Sequence, residues 1–218
     1  VQAATTANLP SAGETYLRQG YPTRNYGGSV TVSVSNGTNK QNSLYKWDLS
    51  TIPAGSTVTS ASITFYVTDA STADYSLFAM RRAWVEGTSN DTDSSTSANF
   101  NTYDGINAWG TAGAMSTTLD RYNTDLWDAT GGSGGTFSAS GNVTIPLNVS
   151  GVSVIQGWIN SPSSNFGLTM QFTGTTGTAD YWIVASKENT SGYTSPTLNV
   201  TYEAAGPTIT TVGTLSSF

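Results

Sequence analysis

For most of its length this chain alternates, an apolar side chain followed by a hydroxyl or amide and then an apolar one again. `TYLRQ`, `SVTVSVS`, `SLYKWDLS`, `VTSASITFYVTD`, `YSLFAMRRAWV`, `NVTIPLNV`, `FGLTMQFTG`, `YWIVASKE` and `PTLNVTYE` all carry this period of two. Successive side chains of a strand point to opposite faces, so the pattern fits half-buried strands and not helices. In `SVTVSVS`, Val30, Val32 and Val34 share one face. In `SASITFYVTD`, Ala61, Ile63, Phe65 and Val67 do the same. Turn signals separate the runs: Gly27-Gly28, Asn36-Gly37, Pro53-Ala54-Gly55, Gly131 to Gly135, Ser161-Pro162 and Gly174 to Gly177. One stretch breaks the period. `NVSGVSVIQGWINS` places Val152, Ile155 and Ile159 at helical spacing beside Trp158, with Ser150 as the expected N-cap. Many short strands, polar turns and one short helix predict an all-β fold, a jelly-roll β-sandwich of antiparallel strands.

The missing residue types exclude much chemistry. The chain has no Cys and no His. Disulfides, thiolate chemistry, zinc sites and Ser-His-Asp triads are therefore out. A carboxylate pair of the glycosidase kind is compatible with 14 acidic residues, but nothing in the sequence marks one. The reading is a protein that is not an enzyme. Only 10% of residues are charged, the net charge is -6, and Lys and Arg number 8. A groove tracking phosphates is thus disfavoured, and so is an anionic membrane surface. An acidic polysaccharide would be repelled unless a cation or a local arginine cluster intervened. No apolar run approaches the roughly 20 residues of a membrane span. The opening `VQAATTANLPSA` resembles the region after a signal cleavage site, which predicts a secreted bacterial product.

Residues from about 87 to 142 are irregular and aromatic. So long a loop commonly packs over a sheet and carries function. Tyr103, Trp109, Tyr122 and Trp127 are the candidates for stacking on sugar rings; the competing reading makes them a hydrophobic cover. Trp47, Trp84 and Trp158 sit in patterned elements and read as core. Asp91 and Asp93 alternate in `NDTDSS`, a spacing that suits calcium, although the run lacks the Gly and Glu of an EF-hand loop and also fits a solvated turn. Asp104 and Asp120 are further candidates. Asp48 reads as an Asx turn, and Glu86 and Glu188 as acceptors for Arg81 or Arg82.

The order of motifs adds a resemblance. `YPTRNYGGSVTVSV`, `SLYKWDLSTIPAGSTVTSASITFYV`, `RRAWVEG`, `NFNTYDGINAWGTAGA`, `VIQGWINSPSSNFGLTM` and `ASKENTSGYTSPTLNVTY`, in that order, resemble the DNRLRE domain family, which is related to disaggregatase-type repeats and to alginate-binding carbohydrate modules. The resemblance covers about residues 13 to 203. It rests on Asn25-Tyr26-Gly27, Trp47-Asp48-Leu49, Trp84 and Glu86, Trp158, Gly167, Glu188, Pro196 and Tyr202. It implies a jelly roll in a secreted, non-catalytic protein, polysaccharide binding in some members, and a bound Ca2+ by analogy with similar jelly rolls. Glu14 stands where the family pattern has Asp, and is the metal candidate that the resemblance supplies.

Domain organisation follows: an extension over 1–12, the sandwich over 13–203, and a tail over 204–218. The tail, `GPTITTVGTLSSF`, alternates like a strand, with Ile209, Val212, Leu215 and Phe218 as its apolar residues. A terminal strand can complete the sheet of another copy and build a filament. The leading expectation is therefore a structural or adhesive subunit of a cell-surface fibre, with copies of itself or other surface proteins as partners. The alternative is a carbohydrate-binding module with polysaccharide as partner.

Overall fold

A computed structural model describes residues 3–129, 135–137, 139–174 and 180–206. Its strands are β1 (Thr5–Arg18), β2 (Arg24–Asn25), β3 (Thr31–Ser35), β4 (Gln41–Trp47), β5 (Thr57–Asp69), β6 (Ser71–Ala79), β7 (Thr92–Asp93), β8 (Gly135–Phe137), β9 (Gly141–Pro146), β10 (Leu168–Phe172), β11 (Tyr181–Ala185) and β12 (Thr197–Glu203). One α-helix among the described residues, α1 (Val149–Asn160), lies between β9 and β10. Every strand pair is antiparallel. The predicted all-β class with one helix therefore holds.

The strands β1, β12, β5, β11, β3 and β4 pair in succession, and β1 also pairs with β4, so the sheet closes into a ring. Its weakest seam is between β3 and β4, which meet through the single pair Ser35↔Gln41. On one side β4 continues through β10 to β6; on the other, β9 pairs with the free edge of β5. Strand β1 joins the two sides. Thr5 to Pro10 pair with β12, a bulge follows between Ser11 and Gly13, and the rest pairs with β4. This corrects the expected extension over 1–12: most of that segment is the first half of β1. Its alternation is diluted by small and hydroxyl residues, so only Leu9 and Ser11 turn clearly inward.

The core lies inside the ring. Ala61, Ile63, Phe65 and Val67 face it as their spacing requires, as do Val32 and Val34, whereas Val30 lies just before β3 and is exposed. Phe65 meets Trp182 edge-on at 4.9 Å and Tyr45 at 5.3 Å. Helix α1 closes one end with Ile155, Trp158 and Ile159 buried. Its N-cap is Asn148 and not Ser150: the Asn148 side-chain oxygen accepts from Gly151 N at 3.0 Å, while its amide donates to the Asp125 and Trp127 carbonyls. Asn148 can cap while donating two tethering bonds, whereas a serine hydroxyl has a single donor. Gln156 locks the helix to the start of β5, accepting from Val58 N and donating to Ser56 O.

A second apolar cluster lies on the outer face of β1 and β4. Leu17, Leu44, Met80, Ala98, Phe100, Trp109 and Ala114 form it, beneath a cover made by residues 81–122.

Candidate functional site

The cover has little regular structure, so side chains must satisfy its backbone. Buried Asn25 donates to Glu86 O at 2.6 Å and to Ala98 O at 2.8 Å, and accepts from Gly27 N. The two glycines that follow permit close contact: a Cβ on Gly27 would lie 2.3 Å from Glu86 O, and one on Gly28 would lie 2.3 Å from Thr88 O. Asn99 accepts from Asn101 N and Thr102 N, and its carbonyl accepts from Trp109 Nε1. Asp120, fully buried, accepts from Gly110 N, Thr111 N and Ser116 N at 2.8–3.0 Å, and Arg82 Nε stands 3.4 Å from it. Asp120, a cation candidate by sequence, organises backbone through these three N–H groups.

This scaffold gathers the arginines. After β6 the chain runs beside 120–122: Arg81 N donates to Asp120 O and Tyr122 N to Ala79 O, so Arg81 and Tyr122 emerge side by side. The Arg81 guanidinium lies 3.8 Å from the Tyr122 ring centroid, Arg82 lies 4.7 Å from that of Tyr103, and Arg121 lies 3.8 Å from that of Phe78. At the far end of β1, Arg18 and Arg24 lie 4.6 and 4.3 Å from the centroid of Tyr21. Every arginine of the chain therefore lies over an aromatic ring. Arg24 pairs with Asp91 and Arg82 with Asp120, while Arg18, Arg81 and Arg121 make no ion pair among the described residues. Arg81 donates to Arg121 O, and Arg121 donates to Gln171 Oε1, Tyr122 O and Asn123 Oδ1, so these two guanidinium groups are held beside Tyr122 by neutral acceptors.

Tyr122 stands beside a groove between α1 and residues 119–127. Two adjoining hollows of about 220 and 270 Å³ share Ala79, Tyr122 and Val154 in their walls; Arg81 and Phe166 line the first, Val149 and Thr124 the second. A larger hollow, about 480 Å³, lies by Trp47, Asp48 and Trp158, but both indoles there are buried core, and Asp48 is held in the expected Asx turn by Ser50 N.

The structure separates the predicted sugar-stacking residues. Tyr122 is 46% exposed, and Tyr103 is half-buried against Trp109 under Arg82. Trp109 and Trp127, at 5% and 7%, have no free ring face and serve as packing, which corrects their place in that set. Tyr21, not singled out from the sequence, is 40% exposed. Tyr193 is 41% exposed but stacks on Tyr66 at 4.0 Å, so each ring covers a face of the other.

Nor do the cation candidates meet. Asp91 accepts from the Tyr26 hydroxyl at 2.7 Å and from Arg24, which hold its carboxyl below the usual range; Asp93 accepts from Thr23 Oγ1. Asp104 caps its own turn, accepting from Ile106 N and Asn107 N. Glu14 points into the protein opposite Tyr45 and accepts from Lys187 N, with its second oxygen buried and without a hydrogen-bond partner among the described residues. Burial raises its carboxyl to about 7, against the pull of the Lys187 backbone N–H. Glu86 and Glu188 bond to the Lys187 ammonium, not to Arg81 or Arg82 as expected, because the turn after β11 brings that lysine between them. Among the described residues no three acidic side chains are placed to hold one metal ion. Ile209, Val212, Leu215 and Phe218 lie outside the described residues; β12, which precedes them, is paired on both edges, with β1 and β5.

Fold and site together define an antiparallel β domain that displays arginine–tyrosine contacts on a hydrogen-bonded cover. Within that class, the family model of carbohydrate-binding module family 96 matches residues 5–112, just under half of the chain. The matched part runs from β1 into the cover and includes Tyr21, Arg18, Arg24, Arg81, Arg82 and Tyr103. No curated protein sequence matches the chain.

Proposed function

We propose that this protein is a non-catalytic, extracellular carbohydrate-binding domain, built on a jelly-roll framework, whose ligand is an acidic polysaccharide. The observation that carries the reading is Tyr122, 46% exposed beside the groove with the unpaired Arg81 guanidinium over its ring. A tyrosine ring offers an apolar face to the C–H face of a sugar, and a guanidinium offers a planar fork of donors that matches a carboxylate or sulfate. The match to a carbohydrate-binding module family supports the ligand class, and the arginine clustering supports its charge. The fibre reading rests on residues 207–218 and gains no support from that match.

The test is electrophoresis through gels cast with polygalacturonate, alginate or carboxymethylcellulose, against hydroxyethylcellulose and xylan as neutral controls. Retardation is expected in the acidic gels, weakening as salt rises because exposed charges are screened over about 10 Å at 0.1 M. Free migration in every gel would refute the proposal; retardation equal in carboxymethyl- and hydroxyethylcellulose would refute the charge preference.

A further inference from the structure

Building on the polysaccharide reading, we infer that Tyr21, Arg18 and Arg24 form a second, distal subsite, so that one acidic polysaccharide chain lies across the cover and contacts both the Tyr21 and the Tyr122 platforms. The local geometry is that of a built site. Residues 18–24 fold into two successive turns, with Tyr21 N donating to Arg18 O and Arg24 N to Tyr21 O. These turns lift the Tyr21 ring to 40% exposure between two guanidinium groups. Beneath it Tyr16 and Tyr26 stack at 4.2 Å, and Tyr26 is fixed by its hydroxyl bond to Asp91. Arg18 has no carboxylate partner among the described residues, and its Nε is buried without a hydrogen-bond partner there. The platform is anchored to the cover: Asn101 N donates to Pro22 O, Ser94 N to Thr23 O, and the backbone of Arg24 lies opposite that of Asp93 where β2 meets β7. Both platforms are thus joined to one segment of chain.

Strand register gives the spacing of the platforms. Glu14, Tyr45, Leu168 and Ala79 lie level across β1, β4, β10 and β6. Arg18 is further along β1, and Arg81 leaves β6 in the opposite direction. At about 4.8 Å between strands and 3.3 Å per residue, Arg18 and Arg81 sit at diagonal corners about 25 Å apart. Each platform holds one guanidinium, Arg18 or Arg81, that makes no ion pair among the described residues and can meet the same polyanion. A second contact on one chain acts at a high effective concentration and raises affinity only for ligands long enough to reach it.

Calorimetry with size-fractionated hydrolysates of polygalacturonate and alginate tests this on the full chain. For the wild type, affinity is expected to step upward once oligomers span both platforms. Tyr21→Ala should remove that step, weakening long oligomers by about five- to tenfold, the worth of one aromatic contact, while short ones bind unchanged. Tyr21→Phe should keep the step, and an unchanged melting temperature in both variants separates loss of contact from loss of fold. Tyr122→Ala should weaken all lengths. Long-oligomer affinity untouched by Tyr21→Ala, or short and long weakened alike, would overturn the distal subsite while leaving the polysaccharide reading intact. Wild-type protein that binds no fraction would overturn both.

Discussion

The two apolar clusters of this protein are built in opposite ways. Inside the ring, Phe65, Trp182, Tyr45 and Tyr75 come from regular strands and hold together by burial. Under the cover, Phe100, Trp109 and Met80 come from irregular chain, and that chain is held by Asn25, Asn99 and Asp120 bonding to backbone. A core of the first kind tolerates repacking, since its requirement is volume. One of the second kind depends on single polar side chains, whose loss leaves buried donors unpaired. The reward is shape: the cover and the turn docked on it display the exposed Tyr122 and Tyr21 beside Arg81 and Arg18, which make no ion pair among the described residues.

Substitutions can break this contrast, and the largest effect belongs to the inner core. Phe65→Ala should cost about 4 kcal/mol in denaturant unfolding, as expected for emptying a packed aromatic site. The next effect needs no substitution. Glu14 is 1% exposed and its carboxyl is raised from 4.5 to about 7, chiefly by burial. Between those values the folded state holds a proton that the unfolded state has released. Stability is therefore full below pH 4.5 and falls as pH rises to 7, by up to about 3 kcal/mol. Glu14→Gln should flatten this slope; an unchanged slope would mean that another group titrates. Asp120→Ala strips acceptors from three backbone N–H groups and should cost about 2 kcal/mol. Its loss should be local, with hydrogen exchange rising at 110–116 while β5 and β12 stay protected. Exchange rising equally in both regions would show that cover and core are a single cooperative unit. Smallest in stability is Tyr122→Ala, within about 0.5 kcal/mol as for other surface substitutions, yet it should weaken polysaccharide binding about tenfold.

The same contrast explains what could be read from the sequence. Alternation placed Ala61, Ile63, Phe65 and Val67 inward because a strand has one rule for facing the core. It failed in Thr5–Pro10, where small and hydroxyl residues blur the period though the backbone pairs with β12. It offered nothing in the cover. Trp109 and Trp127 looked like loop rings open to a ligand, but the polar nodes that fold the loop over them leave no periodic trace. Of the predicted sugar residues only Tyr122 is well exposed, and Tyr21 was missed because it sits in a short turn without pattern. Pairing Arg81 with Tyr122 required knowing that the chain returns beside β6, which is a fact of topology.

The most direct test compares retardation by carboxymethylcellulose and hydroxyethylcellulose for the wild type and for Arg81→Gln combined with Tyr122→Ala. These gels share a backbone and differ in charge. The account predicts that the wild type is held by the charged gel alone, and that the double variant, with an unchanged melting temperature, is held there far more weakly. A double variant retarded as strongly as the wild type would contradict it.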